Sequence, residues 1–249
     1  VYIKKNPAVV NNTLKAVFRA TNKQGKSASN YVHFKGLNSR IKKDKLTLVS
    51  AYSVPKQNRF FNPFDYKTYS EAQFISTEEP IEGSDKIKES IAMVFAYKYI
   101  PADPGKYYLY SPDSEEAQEF CDKNGIRGYN REEMKSCVFY RIEGVGGYEL
   151  DEAIEAAQDN NEKAKLINER NNLDWEYFDE YINDDYLSTL DFSNATNALQ
   201  LKGGFYAFKT FDNRKGIIWV NYLNNFNNPI PITIRRYIFQ AGSTENGNN

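Results

Sequence analysis

Residues 205–223 read FYAFKTFDNRKGIIWVNYL, and this stretch decides the fold. An aromatic run at 205–210 and a branched run at 217–223 flank the polar segment Phe211-Asp212-Asn213-Arg214-Lys215-Gly216. Such side chains suit a pleated, half-buried surface, and Asp-Asn followed by Gly suits a tight reversal, so the pair reads as an antiparallel hairpin. After an Asn/Pro loop at 224–231, residues 232–240 supply a third strand with Ile232, Ile234 and Ile238 on one face.

The same reasoning extends toward the N-terminus. Leu14, Ala16, Phe18 and Ala20 alternate with polar neighbours, and Val32 and Phe34 do so beyond the turn Asn22-Lys23-Gln24-Gly25, which predicts a second hairpin. The segment Arg40-Ile41-Lys42-Lys43-Asp44-Lys45 reads as a polar linker. Further strands are expected at 45–53, 71–76, 87–100, 106–110 and 138–142, with a turn at 101–105. Ser111-Pro112-Asp113-Ser114 opens a helix, because Ser111 or Ser114 can cap it and Glu115 and Glu116 favour its positive end. That helix should stop at Asn124-Gly125. Helical spacing predicts further helices over 149–158, 162–170 and 173–186, and a loop or short helix over 188–200. The expected class is α+β: a mainly antiparallel sheet covered by two or three helices, with a small β unit at the N-terminus. The expected boundaries are 1–40, an α+β domain at 41–240, and a polar, disordered tail at 241–249.

Composition narrows the function. Lysines and arginines number 32 against 33 acids, and no basic block stands apart, so the footprint of a nucleic-acid binder is missing. The longest apolar run, Ile91 to Tyr97, has the length of a strand and not of a membrane span. Val1 is not an initiator methionine, so any targeting segment would lie upstream. The only cysteines, Cys121 and Cys137, are far enough apart to close a loop in an oxidising compartment, but spacing alone does not fix their separation and two unpaired, semi-buried thiols are the plainer reading.

Two stretches carry a resemblance. Phe205-Tyr206-Ala207-Phe208-Lys209-Thr210 followed by Asn213-Arg214-Lys215-Gly216-Ile217-Ile218-Trp219-Val220 resembles the hairpin VYAFKT-DGKYGLIKV near the end of many uncharacterised cell-envelope lipoproteins of Bacteroidetes. Lys106-Tyr107-Tyr108-Leu109-Tyr110-Ser111-Pro112-Asp113-Ser114 resembles the same family's lySPdS element, and Ser84-Asp85-Lys86-Ile87 its lead-in. The chain departs from the pattern at Asn213, where the family usually has glycine, and at Ile218-Trp219. Residues 13–35 look like the last two strands of a bacterial immunoglobulin-like module. The resemblance implies a place on the outer-membrane surface or in the periplasm, with anchoring only through an upstream lipid. It implies company with a glycan- or nutrient-uptake complex, or an adhesin role. It supplies no catalytic residue to carry over.

The residues themselves offer little for bond-making. His33 is the only histidine, lies on an alternating strand, and has no G-x-S-x-G element beside it. One histidine and two distant cysteines lack zinc-ligand spacing. Asp179, Glu180, Asp184 and Asp185 cluster near Asn183, but without a D-x-D-x-D-G loop the solvated end of a helix explains them better than calcium. Aromatic rings are the better candidates. Tyr108 and Tyr110, Trp175 and Tyr177, and Trp219 and Tyr222 could offer flat faces to sugars beside Asn and Asp, although most aromatics fill cores.

The expected function is therefore a non-catalytic surface or periplasmic module, with no catalytic, metal or cofactor residues, that binds a glycan or a partner. The alternatives are a structural adhesin and a hydrolase whose carboxylates meet only in the fold. An exposed aromatic row beside Asn and Asp favours the first, a flat apolar patch the second, and two carboxyls about 5–10 Å apart across a cleft the third.

Overall fold

Strand pairing in the computed structural model gathers most of the long-range order into two antiparallel sheets. The structure describes residues 13–35, 41–48, 58–65, 67–76, 79–100, 103–221 and 230–237. The chain divides into two compact units between Arg40 and Ile41.

The first unit contains the hairpin of β1 (Thr13–Thr21) and β2 (Ser27–Lys35), in register from Thr13 opposite Lys35 to Thr21 opposite Ser27. Asn22 builds its turn: the side-chain Oδ1 accepts from the backbone N–H of Gln24 (3.0 Å) and Lys26 (2.9 Å). Gly25 follows at φ +80°, a conformation that costs an L side chain strain.

Among the described residues the second unit holds ten strands. One sheet runs β3 (Ile41–Leu48), β12 (Ile230–Tyr237), β11 (Lys215–Val220), β10 (Gly204–Thr210), β8 (Cys137–Ile142). The other runs β5 (Lys67–Tyr69), β4 (Phe60–Asn62), β6 (Met93–Ile100), β7 (Asp103–Tyr110), β9 (Ala198–Leu201). The helices are α1 (Ser84–Ser90), α2 (Glu115–Lys123), α3 (Asp151–Ala156), α4 (Asn160–Glu180) and α5 (Asp184–Ser188). The fold is α+β with antiparallel sheets.

Period-two alternation decides which side chain goes where. Met93, Phe95, Tyr107 and Leu109 of one sheet meet Phe139, Tyr206, Phe208, Ile218 and Val220 of the other, forming a core between the sheets. Val94, Ala96 and Tyr110, one residue out of phase, face Ala117, Phe120 and Cys121 of α2. Phe205, Ala207, Ile217 and Trp219 likewise face Phe178 of α4, Leu187 of α5 and Ile182 between them. The result is a layered unit in which each sheet buries both faces, so its inner strands are apolar throughout.

The serine element that follows β7 joins the sheets. Fully buried Ser111 accepts from the backbone N–H of Cys137 at the start of β8 (2.8 Å) and donates to Asp113, while its own N–H reaches the Asn197 carbonyl (2.7 Å). Ser114, not Ser111, caps α2, with Oγ accepting from Ala117 N–H at 3.1 Å. Asn213 sits at φ +62°, the left-handed turn position at which the resembled hairpin carries glycine. Asparagine tolerates that conformation, so the departure leaves the register from Gly204–Val220 to Lys209–Lys215 intact.

Several expectations need correction. The strands form two sheets rather than one. Residues 87–90 are the end of α1, not part of a strand, because Ile87 and Ile91 lie one helical turn apart and the Ile91 N–H bonds the Ile87 carbonyl. Residues 71–73 form a 3₁₀ turn, held by the Gln73 side chain accepting from Ser70 N–H at 2.8 Å. The segments 162–170 and 173–186 are not two helices: α4 is continuous, opened by Asp159, whose carboxylate accepts from Asn161 and Glu162 N–H. Residues 198–201 are an edge strand. The polar stretch from Ile41 is strand β3, and charge on an edge strand discourages pairing with another molecule. Tyr222, the segments 49–53 and 238–240, and the tail 241–249 lie outside the described residues.

Candidate functional site

The aromatic candidates are not brought to one place. Tyr110 is buried against Phe120 on the outer face of its sheet, and half-buried Tyr108 stacks on it at 5.7 Å with the Lys98 ammonium 5.1 Å from its ring. Trp219 is buried on the outer face of the other sheet. Trp175 is 44% exposed on α4 and lies 5.6 Å from it. Tyr177 is half-buried. Two of the six rings thus fill the interior, and Tyr222 is outside the described residues.

Tyr177 belongs to a run of rings that sequence spacing did not reveal. Tyr181, 56% exposed, stacks on Tyr177 at 5.0 Å. Tyr177 meets Tyr186 edge to face at 6.3 Å, and their side chains share a hydrogen bond. Tyr186 neighbours Tyr140 of β8, and Tyr140 meets Phe192 at 5.2 Å. These residues come from α4, α5, β8 and the segment after α5. They flank the apolar cluster beneath α4, half-buried except for Tyr181, so burial raises the Tyr186 and Tyr140 hydroxyls above their ordinary pKa.

A buried charge network lies under α4. Arg170 and Asp174, four residues apart, are almost fully buried and paired. Arg170 also donates to Asp151 of α3 (2.5 Å) and to the Gly203 carbonyl (3.2 Å). Arg141 of β8 donates to the other Asp151 oxygen (2.5 Å) and to the same carbonyl (3.0 Å). Asp174 additionally accepts from Gly147 N–H (2.9 Å) and the Trp219 indole (3.4 Å). Burial pushes the Asp174 carboxyl up, while Arg170 and the neutral donors draw it back toward ionisation. Burial pulls the Arg141 guanidinium down, but the Asp151 hydrogen bond together with the charges of Tyr206, Asp151 and Tyr148 outweighs it, and the group ends above its usual value.

The loop Gly144-Val145-Gly146-Gly147 closes on this network. A Cβ on Gly147 would stand 2.7 Å from the Arg170 carbonyl oxygen, and one on Gly146 would stand 2.4 Å from Asp174 Oδ1. Only bare backbone lets the loop close on α4. The signal was present in the sequence: Ile167, Arg170, Asp174 and Phe178 follow helical spacing, so two charges sit on an apolar face.

Both cysteines are free and buried, Cys121 on the inward face of α2 and Cys137 between the sheets, which resolves the two alternatives for them. Burial pushes both thiols far above their ordinary range. Among the described residues no group of three or more His, Cys, Asp or Glu could hold a metal ion. No helix among them is long and apolar enough to cross a membrane. An open cavity of about 290 Å³ beside Phe74, Pro80 and α1 touches none of the aromatic candidates.

No protein-family model and no curated protein matches the chain. Among solved structures, the crystal structure of a DUF4466 family protein from Parabacteroides merdae is similar over 93% of this chain and 64% of that one, with 14% identity and a TM-score of 0.51. The chain thus spans a little under two thirds of that protein's length. The likeness is one of fold, shared with an uncharacterised protein of the Bacteroidetes.

Proposed function

We propose that this chain is a non-catalytic binding module of the bacterial cell envelope that presents aromatic side chains to a glycan, as an accessory of an outer-membrane uptake complex. The observation that carries the reading is the row from Tyr181 through Tyr177, Tyr186 and Tyr140 to Phe192. Four of its five rings carry hydroxyls, and Asp179, Asn183 and Asp191 lie beside it in sequence. Flat apolar faces with directional polar tips match a sugar ring, whose C–H face is apolar and whose rim is hydroxylated. The spending of Asp151 and Asp174 on arginines supports a non-catalytic role, since neither carboxylate is left to a substrate. A place at the outer-membrane surface or in the periplasm, an upstream lipid anchor and an immunoglobulin-like character of the hairpin at 13–35 belong to the same reading. They rest on the sequence resemblance.

A glycan array with the purified chain, repeated with Tyr181→Ala, tests it. Binding that weakens in the variant supports the reading. No sugar binding together with recovery of a membrane transporter in a pull-down moves the function to complex assembly. Turnover of a glycan abolished by replacing one carboxylate overturns it.

A further inference from the structure

At the far end of the aromatic row, Phe192 lies beneath two ammonium groups. Lys209 Nζ is 5.4 Å and Lys215 Nζ 5.6 Å from the centre of its ring. These lysines stand directly opposite each other in the β10–β11 ladder. Like charges facing across an antiparallel pair repel, and a fold with no use for the pair gains from replacing either one. Both are half-buried and held in place: Lys215 donates to the Leu190 carbonyl at 3.0 Å, and the Phe192 ring attracts both cations. Asp191, next to Phe192 in sequence, is turned toward Ser193, accepting from its N–H (3.0 Å) and its hydroxyl (2.8 Å), and it interacts with Lys215 at longer range.

We propose that Lys209 and Lys215 form the anion subsite of this surface, so that the glycan it takes is acidic, with sugar rings along the tyrosines and a carboxylate or sulfate between the two ammonium groups. This rests on the glycan-binding reading and adds the ligand's charge to it. The spacing favours it: the ring centres of Tyr181 and Tyr177, Tyr177 and Tyr186, and Tyr140 and Phe192 lie 5.0, 6.3 and 5.2 Å apart, on the scale of one sugar unit, and the lysines lie at the Phe192 end. An anion between them relieves the cross-strand repulsion and gains two charge-assisted contacts at once.

The test is calorimetric titration with galacturonate oligosaccharides, with the same oligomers sulfated in place of carboxylated, and with neutral galactose oligosaccharides. Lys209→Gln removes the charge, gives a side chain only one atom shorter and leaves the Lys215–Leu190 bond, and is expected to fold with an unchanged or higher melting temperature. The expected result is acidic-oligomer binding that falls about tenfold in Lys209→Gln and weakens with salt, against neutral binding that is weak and unaffected. The carboxylated and sulfated arms identify which anion the subsite prefers. Equal affinity for neutral and acidic oligomers, or no selective loss in the variant, overturns the subsite and leaves glycan binding standing. No binding of any oligomer, acidic or neutral, removes both.

Discussion

Replacing Arg170 by methionine should be among the most damaging single changes this chain can suffer. The guanidinium is 1% exposed and bonds Asp151, Asp174 and the Gly203 carbonyl. Methionine fills much of the volume but leaves Asp174, which is fully buried, without its cation. Breaking a buried pair from one side costs about 3–5 kcal/mol, because the remaining charge is stranded. Typical domain stabilities are about 5–15 kcal/mol, so Arg170→Met consumes a large share of the total. Asp151 suffers less, since Arg141 still holds it. Adding Asp174→Asn removes the stranded charge and keeps an acceptor for Gly147 N–H, so the double variant should recover roughly 1–3 kcal/mol of the loss. The single variant should also respond to pH. Without Arg170 the Asp174 pKa rises further above its unfolded value. A raised carboxyl pKa favours the fold below the unfolded value, near 3.9, and that benefit is lost as pH rises through the folded one. The deficit of Arg170→Met relative to wild type should therefore be smaller at mildly acidic pH than at neutrality. Equilibrium urea unfolding of the four proteins of the cycle at two pH values measures all of this. Additivity within about 0.5 kcal/mol, or an Arg170→Met loss below about 1 kcal/mol, would refute the reasoning.

Gly147→Ala should cost at least about 1–3 kcal/mol, since its Cβ meets the Arg170 backbone, whereas Gly144→Ala, with open space around it, should cost only the left-handed strain of about 1 kcal/mol; thermal melts separate the two. The Tyr206 hydroxyl is pushed up to about 12 by burial, so stability should hold up to the unfolded value near 10 and then fall by roughly 2–3 kcal/mol as pH climbs to 12; the phenolate absorbance that Tyr206→Phe removes should appear only with unfolding. Cys121 and Cys137 should resist a thiol reagent in the native protein and both react in denaturant, with no change in electrophoretic mobility on reduction; rapid native labelling of either would contradict their burial.

The strands of the two cores were legible where alternation or an unbroken apolar run extends over five or more residues, as in β6, β10 and β11. The three-residue strands β4 and β5 carry too few positions to show a period, and β3 hides its strand character in Lys42-Lys43-Asp44-Lys45. Partition into two sheets was not legible, since alternation tells which residues share a face and not which sheet they join. Asn171-Asn172 reads as a break in α4, yet Arg170 and Asp174 are fixed on either side of it and the helix passes through. Individual aromatics were visible as candidates. The row that joins Tyr140, Tyr177, Tyr181, Tyr186 and Phe192 was not, because its members are distant in sequence and meet only when β8 lies beside α4 and α5.

Among the described strands β3 pairs with β12 alone, and those two stand first and last in the second unit. A polypeptide emerging from a ribosome therefore carries residues 41–48 without a neighbour until almost its last described residues have been made. The sheet they border closes late, and stopping synthesis before Ile230 removes the template that β3 has among the described residues.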